Sequence, residues 1–285
     1  MTITDFFKVV PQYFLPQHAL SKLMRYFTHS KNKKLKNWMI TQVIKHYGVN
    51  MDETKIKNLN AFNTFNEFFT RELKPRARPI TTEPNAVACP ADGAVSQAGL
   101  INDRNIFQAK GKTYTLFELL GGNTERAELF AEGSFATIYL SPKDYHRLHM
   151  PLTGTLTEMV HIPGSLFSVN TATTRIVPKL FARNERVVAI FETEAGPMAL
   201  ILVGAIFVNS IETVWHGVVT PPTVRHIQTW NYGHKSYTLQ KGDEMGRFNM
   251  GSTIIVLFGK DKVQWTEGFK ADKTVRLGEL IGKTR

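Results

Sequence analysis

The chain has 285 residues, of which 42% are apolar and 21% charged, so it can bury one sizeable core and has the composition of a globular protein. Its formal net charge of +11 favours an anionic partner, either nucleic acid or an anionic lipid surface. The single cysteine, Cys89, excludes an internal disulfide framework and fits a reducing compartment.

The positive charge is concentrated at the N-terminus, where residues 1–50 hold eight Lys or Arg residues against Asp5 alone, a charge of +7. No zinc-finger spacing, RNA-binding signature or P-loop accompanies this basic segment, which argues against nucleic acid. Charged residues and Pro11 interrupt any signal-peptide h-region. The longest uncharged run, 195–211, is too short and too often interrupted by Gly and Pro for a spanning helix. We therefore expect the protein to lie on a membrane rather than in it.

Apolar residues recur at helical spacing over 3–10, 20–27 and 35–43, which predicts three short amphipathic helices. Gly48 is expected to cap the third helix. Two interpretations remain open: the helices pack on the protein's own core, or their apolar and aromatic faces enter a membrane. The membrane interpretation is favoured by the position of several short helices at one end of the chain and by a basic run that consists of Lys31, Lys33, Lys34 and Lys36.

A fourth helix is predicted over 64–73, because Thr64 and Glu67 have the spacing of a capping box. From residue 87 the pattern changes to short apolar runs separated by Gly, Pro, Asn and Asp, which is typical of a mainly antiparallel β core. These runs are 94–101, 135–140, 154–161, 187–191, 198–208, 213–219 and 253–258, with a short helix over 115–120. The predicted fold class is α+β, with a membrane-associating helical region at 1–50 and a mainly β domain at 51–285.

The segment Lys-Gly-Asp-Glu-Met-Gly-Arg-Phe-Asn-Met-Gly-Ser-Thr at 241–253 runs directly into the apolar run 254–258. Because Gly251 has no Cβ, its carbonyl is open to attack by the Ser252 hydroxyl. Such an attack moves the acyl group from nitrogen to oxygen, and removal of the Ser252 α-proton then breaks the chain. The residue left behind hydrolyses to a pyruvoyl group, whose ketone is an electrophile. Taken alone, Gly-Ser-Thr favours the ordinary interpretation of a turn before a core strand.

A serine hydroxyl needs a base within hydrogen-bonding distance to act as a nucleophile at neutral pH. Candidates are His146 and His149 in the segment 141–151, and Asp92 in the Pro-Ala-Asp-Gly turn at 90–93. An imidazole held by an aspartate can take the serine proton and then protonate the departing amine. The His-x-x-His spacing also suits a metal ion, but no Cys or Glu set nearby completes a site, so we expect no metal.

Three of these segments, 90–93, 144–151 and 241–253, resemble the motifs of the phosphatidylserine decarboxylases, pyruvoyl enzymes that process themselves between the Gly and Ser of Leu-Gly-Ser-Thr. The resemblance covers nearly everything from residue 62 to residue 258. Met250 replaces the Leu, a mild change between apolar side chains of similar volume. Asn209 stands where a Gly is expected in many relatives, which puts a local turn in doubt but not the reaction.

The resemblance implies that Asp92, His149 and Ser252 form the self-processing triad, in which Asp92 orients His149 and His149 activates Ser252. Cleavage between Gly251 and Ser252 converts Ser252 into a covalent pyruvoyl group, the only cofactor that is expected. His146 becomes the histidine of the substrate site.

Self-cleavage would leave a large fragment, 1–251, and a small fragment, 252–285, that carries the pyruvoyl group. The resemblance also implies that one loop lines the pocket near the substrate phosphate. The residues of this loop are Phe167, Ser168, Val169 and Asn170.

The activity that the resemblance implies is conversion of phosphatidyl-L-serine to phosphatidylethanolamine and carbon dioxide through a Schiff base with the pyruvoyl group. The expected partners are phosphatidylserine in an anionic membrane and a second copy of the processed chains. The expected location is peripheral, on the cytoplasmic face of the cell membrane.

Two other functions remain as alternatives. A Ser-His-Asp lipid hydrolase would use the same three residue types, but the sequence lacks Gly-x-Ser-x-Gly around Ser252. A non-enzymatic basic membrane adaptor would explain residues 1–50 and none of the three motifs.

Overall fold

The computed structural model describes residues 9–208, 210–221, 225–233, 237–251 and 253–285. The helices are α1 (Gln17–Thr28), α2 (Lys33–Tyr47), α3 (Phe65–Phe69), α4 (Leu116–Leu119), α5 (Thr124–Glu128), α6 (Thr171–Ile176) and α7 (Leu180–Arg183), with 3-10 turns at Val10–Tyr13 and Leu59–Ala61. Of the predicted helix over 3–10, residues 3–8 lie outside the described residues. Within the described ranges no helix has the length and apolar content needed to cross a bilayer.

Within the described residues the strands lie in four sheets, of which the largest has nine strands. They are β1 (Ala86–Ala88), β2 (Gly93–Leu100), β3 (Asn105–Ala109), β4 (Lys112–Thr115), β5 (Ser134–Tyr139), β6 (Arg147–His149), β7 (Gly154–Ile162), β8 (Arg186–Thr193), β9 (Gly196–Val203), β10 (Ile211–Thr213), β11 (Gly217–Val218), β12 (Gln228–Asn231), β13 (Thr238–Leu239), β14 (Glu244–Phe248), β15 (Thr253–Phe258), β16 (Val263–Trp265), β17 (Thr274–Val275) and β18 (Leu280–Thr284). The prediction of an α+β fold with a mainly antiparallel core is confirmed.

The nine-stranded sheet has the order β12-β7-β8-β9-β15-β5-β2-β17, with β13 also paired to β7. Its centre is β15, which pairs along its whole length with β5 on one side and β9 on the other. All six residues of β15 are buried. A strand with two neighbours and both faces covered is expected to read as an unbroken apolar run, which is how Ile-Ile-Val-Leu-Phe at 254–258 reads.

The smaller sheets connect the rest of the chain to this core. The four-stranded sheet, β11-β10-β14-β6, holds the lead-in to residue 251 next to the histidine segment. The three-stranded sheet, β1-β18-β16, joins the C-terminus to the start of the β domain, and β3 and β4 form a separate hairpin.

Helix α2 is capped at both ends, and its C-terminal cap is the glycine that the sequence predicts. The Asn32 side chain accepts hydrogen bonds from the backbone N–H groups of Lys34 and Leu35 at its start. Gly48 ends it with φ 69°, a left-handed conformation that favours glycine. The apolar side of α2 packs on α3, where Ile40 joins Phe62, Phe65, Phe68 and Phe69 in a second hydrophobic cluster. This cluster crosses the predicted domain boundary at residue 50.

Lys36 is not part of a solvated basic run, which corrects that interpretation of the sequence. Its side chain is buried, and its Nζ donates to the carbonyl oxygens of Leu59 at 2.9 Å and Phe62 at 2.6 Å. A buried ammonium needs such acceptors because burial without them is costly. Lys36 therefore ties α2 to the segment that leads into α3.

Three predicted elements differ in the structure from their predicted extents. Helix α3 stops at Phe69 rather than at residue 73, because Arg71 turns inward and its guanidinium donates to the Lys143 and Asp144 carbonyls. The run 198–208 leaves the sheet after Val203. There the backbone passes so close that a Cβ on Gly204 would lie 3.1 Å from the Glu185 carbonyl oxygen. The run 213–219 is replaced by the β10–β11 hairpin.

Candidate active site

Sheet pairing brings the histidine segment to the lead-in of the predicted cleavage site. β14 pairs antiparallel with β6, and the Phe248 N–H donates to the His146 carbonyl at 3.1 Å. The chain then passes through Met250 and Gly251 and enters β15 at Thr253. Ser252 itself lies outside the described residues. Distant parts of the sequence thus meet at Gly251.

The backbone at Met250 and Gly251 is unusual. Met250 has φ 101°, a value that a non-glycine residue adopts only at a cost in strain. A Cβ on Gly251 would lie 2.9 Å from His146 Nε2 and 3.3 Å from the Leu140 carbonyl oxygen. The close approach of the imidazole therefore requires glycine at residue 251.

His146 is fully buried, and its ring stacks at 4.1 Å between centroids on Phe69. Its Nδ1 lies 2.8 Å from the Asp144 carbonyl oxygen, which can only accept, so Nδ1 carries the hydrogen. Its Nε2 has no hydrogen-bond partner among the described residues. Burial, reinforced by the Arg71 guanidinium, lowers the pKa of His146 to about 3. The ring is thus neutral at pH 7, and its lone pair is on the nitrogen next to Gly251.

His149 has the same tautomer but different surroundings. Its Nδ1 lies 2.8 Å from the Gly242 carbonyl oxygen, so Nδ1 again carries the hydrogen. Its Nε2 accepts from the Tyr145 hydroxyl at 3.2 Å. Burial lowers the pKa of His149 below its usual value. His149 is therefore a neutral base whose Nε2 lone pair already accepts a hydrogen bond from Tyr145.

Asp92 lies in a buried ion cluster. Its carboxylate accepts from Arg78 Nε at 2.8 Å and Arg78 Nη2 at 2.6 Å, and from the Leu277 N–H at 2.8 Å. Arg78 also pairs with Glu53 at 2.8 Å. The turn that holds Asp92 requires glycine at residue 93, because a Cβ there would lie 2.3 Å from the Tyr139 carbonyl oxygen.

Among the described residues, no hydrogen bond joins Asp92 to His149, the two members of the predicted triad that the structure describes. The Gly242 carbonyl, not Asp92, orients His149, and Asp92 pairs with Arg78 instead. The two residues are still close, since the His149 N–H donates to the Pro90 carbonyl, two residues before Asp92, at 2.9 Å. Of the two histidines, the structure places His146 at Gly251.

A cavity of about 370 Å³ opens at Gly251. Side chains of α2 and α3 form one wall, and the loops 168–170 and 205–207 form the other. The lining side chains include Val43, Tyr47, Phe65, Phe69, Tyr139, Ile206, Phe207 and Met250. Such a wall suits an apolar chain with a small polar head.

Three residues of the predicted substrate loop line the cavity, and the fourth is buried in the core. Ser168, Val169 and Asn170 line the cavity. Phe167 is buried behind it and packs on Tyr13 at 4.8 Å between ring centroids. The Asn170 side chain also caps α6, where its Oδ1 accepts from two backbone N–H groups.

A family model described as phosphatidylserine decarboxylase matches residues 65–283, more than half of the chain. The chain belongs to the phosphatidylserine decarboxylase family. A second model, described only as PSD, matches residues 7–48.

Relatives with the name phosphatidylserine decarboxylase proenzyme match the chain over nearly its full length. The protein from Methylococcus capsulatus is 52% identical over 274 residues, which cover 96% of this chain and 95% of the relative. The one from Ectopseudomonas mendocina is 53% identical over 280 residues, 97% of this chain and 98% of the relative. The one from Bordetella petrii is 53% identical over 284 residues, 99% of this chain and 98% of the relative.

The site of this phosphatidylserine decarboxylase family member includes residues that the sequence did not indicate. Arg71 is almost fully buried, which lowers its pKa to about 10, and its Nε and Nη1 have no partner among the described residues. Val43 and Tyr47 come from α2, which was predicted to belong to a separate membrane region. No local signal marks these residues, because their positions depend on the packing of α2 and α3. In the described ranges, no group of three or more His, Cys, Asp or Glu side chains could hold a metal ion.

Proposed function

We propose that the protein converts phosphatidylserine to phosphatidylethanolamine and carbon dioxide, with a pyruvoyl group formed from Ser252 by cleavage after Gly251. Family membership supports the reaction, and it favours a decarboxylase over the lipid hydrolase and the membrane adaptor. The name proenzyme, carried by the relatives, supports activation by processing. The observation that carries the proposal is the neutral His146 imidazole, whose Nε2 has no hydrogen-bond partner among the described residues and lies next to Gly251 in an apolar cavity.

The residues around Gly251 fit a pyruvoyl group at the next position. The imidazole comes so close that residue 251 cannot have a side chain, and Met250 has a strained φ of 101°. Strain of this kind is often stored at reacting sites. The following strand, β15, is fixed on both sides, so the new N-terminus of the small fragment stays where the bond was cut.

Self-cleavage requires the Ser252 hydroxyl to lose its proton, attack the Gly251 carbonyl and release the amide nitrogen. Loss of the Ser252 α-proton then expels the Gly251 carboxylate, and water replaces the nitrogen as ammonia. We assign the base to His149, as the family resemblance implies. The supporting role of Asp92, which the resemblance also implies, requires its carboxylate to leave Arg78 and to take the Nδ1–H that Gly242 accepts in this structure. Since Tyr145 donates to His149 Nε2 at 3.2 Å, this assignment requires the imidazole to exchange that contact for Ser252.

The alternative base is His146, because its Nε2 is already next to Gly251. The two assignments predict different uncleaved variants. His149→Ala stays whole if His149 is the base, and His146→Ala stays whole if His146 is the base.

A pyruvoyl group at residue 252 would supply a ketone for condensation with the substrate amine and an electron sink for decarboxylation. We assign His146 a positioning contact in that reaction: its Nε2 lone pair accepts a hydrogen bond from the substrate amine. Burial lowers the pKa of His146 to about 3, so the ring stays neutral at pH 7 and acts as an acceptor rather than as the base that deprotonates the amine. Ser168 and Asn170 are the polar side chains that we assign to the phosphate.

We further propose that the protein acts at the cytoplasmic face of an anionic membrane. Large apolar side chains at the N-terminal end are strongly exposed, among them Phe14 at 85%, Tyr26 at 75% and Trp38 at 61%. Aromatic side chains in a basic segment are typical of helices that lie in a bilayer surface. A homodimer of the processed chains remains an expectation from the family resemblance.

The test is the intact mass of the purified protein. Wild type is expected as two fragments, 1–251 and 252–285, with the small one blocked by a pyruvoyl group. Ser252→Ala is expected as one chain without decarboxylase activity. Active wild-type protein that is full-length, with a free Ser252, would refute the proposal.

A further inference from the structure

A second cavity, of about 670 Å³, lies between α1 and the β core. Helix α1 contributes His18, Ser21, Lys22 and Arg25 to its wall, and Arg225 contributes to another wall. None of its lining residues lines the cavity at Gly251. We call it the α1 cavity.

The α1 cavity has an excess of positive charge. Lys22 and Arg25 are three residues apart, so they share one face of α1, and neither forms an ion pair within the described residues. Arg225, which also has no ion-pair partner in the described ranges, adds a third cation. The carboxylate in the wall belongs to Glu185, whose Oε1 is 3.2 Å from the buried His161 Nε2. The lining therefore holds three cations without an ion-pair partner among the described residues and the carboxylate of Glu185, so the cavity attracts anions.

The remaining wall is apolar, and α1 itself suits a lipid surface. Leu166 and Val208 line the cavity together with Pro163 and Pro221. Leu23 and Tyr26, on the exposed part of α1, are 54% and 75% accessible. If this face of α1 enters a bilayer surface, the basic cavity beside it would lie at the depth of the lipid phosphates.

We propose that the α1 cavity binds the phosphate headgroup of an anionic glycerophospholipid, separately from the substrate cavity at Gly251. Lys22, Arg25 and Arg225 receive the phosphate, and the apolar wall receives the glycerol and the first methylenes of the acyl chains. The volume lies in the range of small-molecule sites, about 300–1,000 Å³.

The bound lipid would contact loops that also line the catalytic cavity. Leu166 and Val208 line the α1 cavity, and the adjoining residues 168–170 and 205–207 line the other. Helix α1 holds both loops: the Gln17 side chain accepts from the Leu166 N–H, and Ser21 Oγ accepts from the Phe207 N–H. A lipid in the α1 cavity is therefore expected to stabilise this arrangement.

The test is calorimetric titration of the full-length protein with dihexanoylphosphatidylglycerol, kept below its micelle concentration. Lys22→Gln/Arg25→Gln is expected to lower the affinity about tenfold or more, since each cation near a lipid phosphate contributes on the order of a fivefold change. Lys31→Gln/Lys33→Gln removes the same charge from exposed positions outside the cavity and is expected to change the affinity less than about twofold.

Two further titrations test which ligand binds and in which cavity it binds. Inorganic phosphate is expected to compete only weakly, because it lacks the glycerol and acyl groups. Tyr47→Ala removes a wall of the catalytic cavity and is expected to leave binding unchanged. The proposal is refuted if the Lys31/Lys33 variant loses as much affinity, if Tyr47→Ala abolishes binding, or if phosphate binds as tightly as the lipid. No arm depends on turnover, so the decarboxylase proposal can fail while this one stands.

Discussion

His146 and His149 lie on the same short segment, and a backbone carbonyl fixes the tautomer of each ring. The Asp144 carbonyl holds Nδ1–H of His146, and the Gly242 carbonyl holds Nδ1–H of His149. The rings differ at Nε2, which accepts from Tyr145 in His149 and has no partner in His146 among the described residues. The two rings therefore suit different steps.

The first residue-scale prediction separates these steps. His149→Ala removes the general base and is expected to stay uncleaved, with the cleavage rate lowered about 100-fold or more. Asp92→Asn is expected to stay uncleaved as well, because the triad that the family resemblance implies loses its carboxylate. His146→Ala is expected to cleave and to decarboxylate poorly. Intact mass over time and product formation from phosphatidylserine are the measurements.

Tyr145→Phe is the matched control for this comparison. It removes the hydroxyl that occupies His149 Nε2, and it is expected to cleave at least as fast as wild type. If His146→Ala remains whole while His149→Ala is cut, the base is His146, and our assignment is wrong.

A second prediction concerns acid stability. The folded pKa of His146 is about 3, below the usual 6.5, so between these values the unfolded chain binds about one proton more. The contribution of His146 to stability is therefore fully present above pH 6.5 and is lost as pH falls toward 3.

Urea unfolding at pH 5 and pH 7.5, in a Ser252→Ala background that keeps the chain whole, measures this dependence. His146→Gln is expected to lower the pH slope by about one proton. His46→Gln, which changes an exposed ring on α2, is the control and is expected to keep the slope of the parent. An unchanged slope in His146→Gln would mean that the ring is not held neutral by burial.

At the scale of elements, α2 belongs to the catalytic core as well as to the N-terminal region. Ile40 lies in the cluster with the phenylalanines around α3, and Val43 and Tyr47 line the cavity at Gly251. Deleting residues 1–47 would therefore remove part of the site, and the membrane role of the N-terminus is better tested by substitutions.

Lys36→Met tests how α2 is attached. The change leaves the Leu59 and Phe62 carbonyls without the ammonium that now bonds to both, and it is expected to lower the free energy of unfolding by about 1–3 kcal/mol. Lys33→Met, at an exposed position of the same helix, is expected to change it by less than about 0.5 kcal/mol. Urea unfolding of the Ser252→Ala protein compares them, and equal stability of the two variants would contradict the attachment.

At the scale of the whole molecule, charge and apolar surface are predicted to make separable contributions to membrane binding. The net charge is +11, and salt screens it because the Debye length falls to about 3 Å near 1 M. Flotation with anionic vesicles is expected to weaken from 0.1 M to 1 M salt without vanishing. Leu23→Ser/Tyr26→Ser is expected to lose the binding that survives high salt.

Leu100→Ser/Phe107→Ser is the control for this experiment, because it removes exposed apolar side chains of the β domain instead. If it lowers flotation as much as Leu23→Ser/Tyr26→Ser, the N-terminal helices have no special role at the membrane.

Patterns within a few residues predicted much of the fold. The alternation of apolar runs and turns predicts the antiparallel core, Gly48 caps α2 as expected, and α4 lies within the short helix predicted over 115–120. The motif segments also meet, because β6 pairs with β14. The family itself is confirmed by the comparisons. The roles of Asp92, His149 and Ser252 remain predictions.

Contacts between residues far apart in the sequence could not be predicted from these local patterns. Lys36 reads as one of four basic residues in a run, and only the positions of Leu59 and Phe62 make it a buried donor. The partner of His149 is a backbone carbonyl, which has no sequence signature. Arg71 ends a helix that its apolar pattern would have continued, because its acceptors belong to the distant segment 143–144.

The central position of β15 has a consequence for when the chain can be cut. A break between Gly251 and Ser252 leaves the fragment 252–285 with β15 hydrogen-bonded to β5 and β9 on its two sides. A strand cannot enter the middle of a finished sheet without opening it, so cleavage has to follow folding. The ketone would then appear only in molecules whose sheet is complete. A misfolded chain would stay a single polypeptide without the ketone. The presence of the pyruvoyl group would therefore mark a chain that has folded correctly.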